Sequence, residues 1–215
     1  MADELDLPDT FPDFSSVEYW DSRYESEINV SYDWLVSFTQ LRSIFLSKLH
    51  DNFDAEILIV GSGNSHMGEE LIKEGYKNIT NIDFSPVLVH QMNERTQDLG
   101  EEMEYITMDA CNITFPVGIF DLIIDKCTLD CILCGDNNFQ RASSYLQGVY
   151  RCLKPGGSFI VVSYGVPDSR LGYLKNKFLP WGIEQAKITK SSSDSFASFE
   201  QARYHYLYIC TKSLT

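Results

Sequence analysis

The chain has 215 residues, 44% of them hydrophobic, and a formal net charge of −14. That length and composition suit one globular α/β domain with a full core and exclude a disordered chain. The acidic charge repels phosphate, so no nucleic-acid partner is expected, and no apolar run reaches the ~20 residues of a membrane span.

Residues 1–15 read as a flexible acidic tail. They carry neither the basic nor the apolar region of a secretory signal. The six cysteines, Cys111, Cys127, Cys131, Cys134, Cys152 and Cys210, lie mostly in or beside apolar runs. This suits reduced, buried thiols, and a cytoplasmic protein is expected. Residues 16–50 are rich in aromatics and predict two helices, over 17–24 and 32–49; in the second, Leu35, Phe38, Leu41, Phe45 and Leu49 recur at helical spacing. Strands follow at 56–60, 79–82, 104–107, 120–124 and 158–163, with helices at 65–74, 85–98 and 138–153 between them. This alternation predicts a parallel sheet covered on both faces. Gly75 stops a helix, and Leu153-Lys154-Pro155-Gly156-Gly157 turns the chain into the fifth strand. Residues 183–188 and 203–211 read as two more strands. The polar loop between them, 190–195, is too short for a helical crossover, so an antiparallel hairpin should close the sheet.

The first strand ends in Val60-Gly61-Ser62-Gly63-Asn64-Ser65. A dinucleotide turn needs a third glycine where His66 stands, so NAD and FAD are disfavoured. Gly61 and Gly63 still let backbone approach a ligand closely. Asp83, ending the second strand, can accept both hydroxyls of a ribose or can cap the helix that follows. Asp109, after the third strand, can accept the exocyclic amine of adenine or can be a loop residue. Three consecutive strand tips carrying Gly-x-Gly, Asp and Asp point together to a nucleoside pocket outside the carboxyl ends of the strands.

With these motifs the chain resembles the seven-strand S-adenosylmethionine-dependent methyltransferases over about residues 17–211. The resemblance implies a doubly wound, Rossmann-like sheet with a C-terminal antiparallel hairpin and N-terminal lid helices, in one domain over 16–215. A narrower likeness lies in Tyr19-Trp20-Asp21-Ser22-Arg23-Tyr24, Tyr32-Asp33-Trp34, Gly61-Ser62-Gly63-Asn64-Ser65 and Asp125-Lys126-Cys127-Thr128-Leu129-Asp130. These resemble the eukaryotic lysine methyltransferases of translation elongation factor 1A, in particular the small type fused, in vertebrates, ahead of endothelin-converting enzyme 2. That family usually carries Cys at the position of Ser62 and Gly at that of Cys127. The second difference sets a side chain beside the cofactor.

Carried over position by position, the resemblance implies cofactor contacts for Trp20, Tyr24, Trp34, Gly61, Gly63, Asp83, Phe84, Asp109, Ala110 and Lys126. Chemistry supports several of them. A sulfonium is a cation that aromatic faces attract, and Trp20, Tyr24 and Trp34 supply such faces on a segment able to fold over the pocket; core packing is their other use. Phe84 can lie on the adenine. Lys126 follows the fourth strand, near the expected methionine carboxylate, or is a solvated surface lysine. Asp125 is the candidate proton acceptor, with capping of the next turn as its alternative role.

Cys127, Cys131 and Cys134 have the spacing of a radical S-adenosylmethionine iron–sulfur motif. That motif belongs near the first strand of a barrel, whereas here it follows the fourth strand of a doubly wound sheet. Residues 128–133 also read as a helix burying small side chains, and no fourth zinc ligand is near, so no metal is expected. The expected activity is transfer of methyl from S-adenosylmethionine, leaving S-adenosylhomocysteine, to a lysine of translation elongation factor 1A, by a monomer. A small-molecule methyltransferase and a non-enzymatic binding module on the same fold are the alternatives.

Overall fold

The β-branched runs become the centre of the molecule. In the computed structural model, which describes residues 12–28, 30–190 and 203–214, they form β1 (Glu56–Val60), β2 (Asn78–Asp83), β3 (Met103–Thr107), β4 (Phe120–Lys126) and β5 (Leu153–Ser163), paired in parallel. β6 (Trp181–Thr189) and β7 (Tyr204–Lys212) complete a seven-stranded sheet in the order β3-β2-β1-β4-β5-β7-β6. β7 is antiparallel to both its neighbours, so the closing hairpin is present. The order reverses between β1 and β4, where Val60 lies beside Ile82 on one side and Asp125 on the other. A crevice opens outside the carboxyl ends at such a point.

Seven helices flank the sheet among the described residues: α1 (Val17–Ser26), α2 (Phe38–Leu49), α3 (Met67–Lys73), α4 (Pro86–Arg95), α5 (Thr128–Cys134), α6 (Asn138–Cys152) and α7 (Pro167–Leu174). Successive strand side chains point to opposite faces, and β1 uses both. Ile57 and Ile59 join Leu41, Phe45, Leu71 and Leu88 of α2, α3 and α4. Leu58 and Val60 join Leu129, Tyr145, Leu146 and Val149 of α5 and α6. None of the described helices is long and apolar enough to cross a membrane.

Several expected boundaries move. The helix expected over 32–49 starts only at Phe38. Leu35 sits at φ 65, which interrupts helical backbone, and the side-chain carbonyl of Gln40 accepts the Ser37 amide at 3.1 Å to start α2. The helix expected over 85–98 ends at Arg95, and residues 97–102 continue as tighter turns around Gly100 at φ 61. The turn at 153–157 lies inside β5 as an irregularity: Leu153 pairs with Phe120, and regular register resumes at Ser158. α7 has no counterpart among the expected helices. Of the expected tail, residues 1–11 lie outside the described residues. Phe14 is already part of the fold, packing on Tyr19 and Trp20 and accepting the Trp20 indole N–H at 2.9 Å. From residue 191 the expected polar loop also lies outside the described residues.

Candidate active site

The turn after β1 places Gly61 and Gly63 at φ +57 and +55, in the left-handed region that favours glycine. Packing inside the protein sets much of this requirement. A Cβ on Gly61 would run into the side chain of Thr128, whose hydroxyl donates to the Val60 carbonyl at 2.7 Å. A Cβ on Gly63 would lie 3.3 Å from the Tyr24 hydroxyl. Gly61 therefore admits the first turn of α5, where close approach to a ligand was expected to be its reason. Between the glycines, the buried Ser62 hydroxyl has no hydrogen-bond partner among the described residues.

Asp83 ends β2 and is 6% exposed. One carboxylate oxygen accepts the Gly63 amide and the other the Ser85 amide, each at 3.1 Å. Burial nevertheless pushes its pKa up to about 6. A carboxylate offers about four acceptor positions, so capacity remains for two further donors. Capping of α4 falls instead to Ser85, whose hydroxyl accepts from Leu88 N–H at 3.1 Å and donates to Asp21 of α1 at 2.5 Å. Asp109, beyond β3, accepts the Cys111 amide at 2.8 Å and starts a short helical turn.

At the tip of β4, Lys126 is nearly buried; its ammonium reaches Asp33 at 2.5 Å and the Ser65 hydroxyl at 3.3 Å. Burial lowers its pKa, and Asp33 opposes that effect. Asp125 faces away from this crevice. Fully enclosed, it accepts Thr128 N–H at 2.8 Å, Leu129 N–H at 3.0 Å and the Tyr145 hydroxyl at 2.7 Å, and burial raises its pKa to about 7. The proposed proton acceptor is instead the cap of α5, because β4 turns this side chain towards α5 and α6. Cys127 adopts φ 72, which explains why glycine suits this position; a side chain there costs about 1–2 kcal/mol. The backbone is thus one a glycine would adopt, with a thiol added at the crevice wall.

A cover closes the crevice. α1 and residues 30–36 form it, while α2 belongs to the core beneath. Asn64 fastens residues 30–32: its side-chain amide donates to the Val30 carbonyl at 2.7 Å, its side-chain oxygen accepts the Tyr32 amide at 3.2 Å, and its backbone carbonyl accepts the Ser31 hydroxyl at 2.8 Å. The Arg23 guanidinium lies 5.6 Å from the Trp20 ring centre and 5.1 Å from that of Trp34. The cover thus already holds one cation against its rings.

Enclosed beneath is a cavity of about 370 Å³, within the range of small-molecule sites. Trp20, Tyr24, Trp34, Gly61, Gly63, Asp83, Phe84, Asp109, Ala110 and Lys126 all border it, whereas Asp125 does not. Phe14, Ser62 and Tyr164 also border it and were not anticipated. Nor were the roles of Asp33 and Asn64; the only hint was Tyr32-Asp33-Trp34 as a motif. Cys127, Cys131 and Cys134 are at the same wall. Burial pushes the Cys127 thiol well above its usual range and that of Cys131 to about 12. Among the described residues no group of three or more His, Cys, Asp or Glu is placed to hold a metal ion.

Three relatives and a solved structure frame this geometry. Residues 58–161 match the pattern of a methyltransferase domain. The chain is 32% identical over 207 residues to "EEF1A lysine methyltransferase 4" of Mus musculus, covering 92% of this chain and 80% of the relative. "Methyltransferase srdJ" of Neurospora crassa is 33% identical, at 92% and 84% coverage. The human "eEF1A lysine and N-terminal methyltransferase" is 30% identical over 73% of this chain, which spans only 22% of that longer protein. Magnesium protoporphyrin IX methyltransferase from Synechocystis, solved with bound S-adenosylmethionine, superposes with a TM-score of 0.65 at 15% identity, covering 96% of this chain and all of that one; at that identity it shows the shared fold.

Proposed function

The chain belongs to the S-adenosylmethionine-dependent methyltransferases, in the family that includes the eEF1A lysine methyltransferases, and on that premise we propose that it methylates a lysine of translation elongation factor 1A. The relatives named for that activity support the acceptor. In this reading the enzyme works as a monomer in the cytoplasm.

The observation that carries the donor site is Asp83: a buried carboxylate at the tip of β2, bordering the cavity, with two amide donors already and room for two hydroxyls. The other residues fit the donor's chemistry. Asp109 stands one strand further on for adenine. Lys126 supplies a cation for the methionine carboxylate, and the partnerless Ser62 hydroxyl offers one more polar contact. Trp20, Tyr24 and Trp34 supply aromatic faces for a cation. When bound, S-adenosylmethionine supplies a methyl group on a positively charged sulfur.

The protein's own share is positioning and exclusion of water. The acceptor lysine must be neutral to attack, and from its ordinary pKa of ~10.4 that costs about 4 kcal/mol near pH 7.5. In this reading none of the acidic residues at the cavity takes the proton: Asp83 holds the Gly63 and Ser85 amides, Asp109 the Cys111 amide at 2.8 Å, and Asp130 pairs with Arg170 at 2.6 Å. Desolvation beneath the aromatic cover favours the neutral amine, and the proton leaves to water.

The test is a cell lysate incubated with this protein and methyl-labelled donor. Label on a lysine of elongation factor 1A, identified by mass spectrometry, supports the reading. Label confined to small molecules, or binding of S-adenosylhomocysteine without any turnover, overturns it.

A further inference from the structure

The strand tips carry the cavity's chemistry in order across the sheet: Asp109 after β3, Asp83 on β2, the glycine turn after β1, Lys126 on β4. The next tip, that of β5, carries Tyr164, which borders the same cavity and is 52% exposed. If the nucleoside lies at β3 and β2 and the amino-acid end at β4, the β5 tip is the side left for an acceptor.

Tyr164 is firmly mounted. The Asp130 carboxylate accepts its backbone amide at 2.9 Å and the Ser163 hydroxyl at 2.5 Å, and Arg170 anchors that carboxylate. The next carbonyl, of Gly165, accepts the Tyr208 hydroxyl at 2.6 Å. The His205 ring stands edge-on, with centroids 5.5 Å apart. The ammonium of Lys190 lies 5.7 Å from the centre of the Tyr164 ring, within the ~6 Å over which an aromatic face attracts a cation. A primary alkylammonium, the side chain an acceptor lysine would present, is therefore already held against a ring that borders the cavity.

We propose that the ring of Tyr164 is the subsite for the acceptor lysine, and that Lys190 of the same chain occupies it when no acceptor is bound. This rests on the reading of the cavity as the donor site. The ring suits the chemistry at each stage. It attracts the incoming ammonium, while the neighbouring Asp130 carboxylate is taken up by the Tyr164 amide, the Ser163 hydroxyl and Arg170. The ammonium first gives one proton to water; the nitrogen lone pair so freed then forms the new N–C bond, and the S–C electron pair returns to sulfur, which becomes a neutral thioether. The positive charge passes to nitrogen beside the ring.

The experiment compares Tyr164→Ala, Tyr164→Phe and Lys190→Ala in the full chain, with elongation factor 1A as acceptor and S-adenosylhomocysteine binding followed by calorimetry. Tyr164→Ala should raise the acceptor KM about threefold to fivefold, the loss of one partly exposed cation–π contact, with donor-product affinity unchanged. Tyr164→Phe keeps the ring and should stay near the wild-type KM. Lys190→Ala should lower the KM about threefold by removing the resident competitor. An unchanged KM in Tyr164→Ala, or a matching loss of S-adenosylhomocysteine affinity, overturns the subsite, and an unchanged KM in Lys190→Ala overturns its occupancy. Failure of the wild-type protein to methylate the factor at all would instead remove the proposed function, whatever Tyr164 does.

Discussion

Replacing Asp83 by Ala tests the donor site at its most constrained point. In the folded protein the carboxyl pKa is about 6, against about 3.9 in an unfolded chain. A folded pKa raised in this way contributes stability that is complete below about pH 4 and is lost as pH rises through about 6; the difference is worth about 3 kcal/mol. The variant escapes that penalty but leaves the Gly63 and Ser85 amides without their acceptor, at about 1–3 kcal/mol each. The two effects offset, so the variant should fold, and its stability should vary less with pH between 4 and 7. Binding has no such compensation. Each hydroxyl bond to a charged acceptor is worth about 1.5–3 kcal/mol, so losing two weakens S-adenosylhomocysteine binding at least tenfold, and about a hundredfold when each reaches the lower figure. In the wild type the same affinity should fall as pH drops through about 6, where the carboxylate takes up its proton. Calorimetry at pH 7.5 and 5.5 reads both effects, with thermal melts as the control for folding. Unchanged affinity in the variant, or pH-independent affinity in the wild type, would refute the assignment of Asp83.

Two other substitutions separate structure from chemistry. Tyr145→Phe deletes a hydroxyl donor to the enclosed Asp125 and should cost about 1–3 kcal/mol of stability by denaturant titration, with S-adenosylhomocysteine affinity unaltered; lost methyl transfer at unchanged stability would return Asp125 to a catalytic role. Trp20→Ala removes a ring that borders the cavity and stacks on Tyr24, with centroids 5.7 Å apart, so donor binding should weaken and methylation nearly vanish while circular dichroism shows the sheet intact. Full activity in a chain beginning at residue 40 would show that the cover contributes nothing.

What could be read in advance followed local rules. The core strands were legible because runs such as Ile57-Leu58-Ile59-Val60 bury both faces, and the strand tips because Gly, Asp and Asp close three of them in succession. The cover was read less well. Helical spacing from Leu35 onwards extended α2 too far, since the left-handed backbone of Leu35 leaves no trace in a hydrophobic pattern. The partnership of Asp33 with Lys126 joins residues 93 positions apart, beyond any periodicity. Asp125 and Lys126 are neighbours in sequence with opposite fates, because alternation along β4 sends one side chain under α5 and the other into the crevice. α7 was missed because it is short and buries only Leu174.

The contact between Gly61 and Thr128 bears on how such chains are recognised in evolution. Thr128 fills the space a side chain at position 61 would need, and its hydroxyl ties α5 to the end of β1. A descendant that had given up methyl transfer would still be selected to keep that glycine, simply to hold its shape. The glycine signature therefore records ancestry of the fold. Evidence that a lineage is still catalytic has to come from elsewhere at the cavity than this turn.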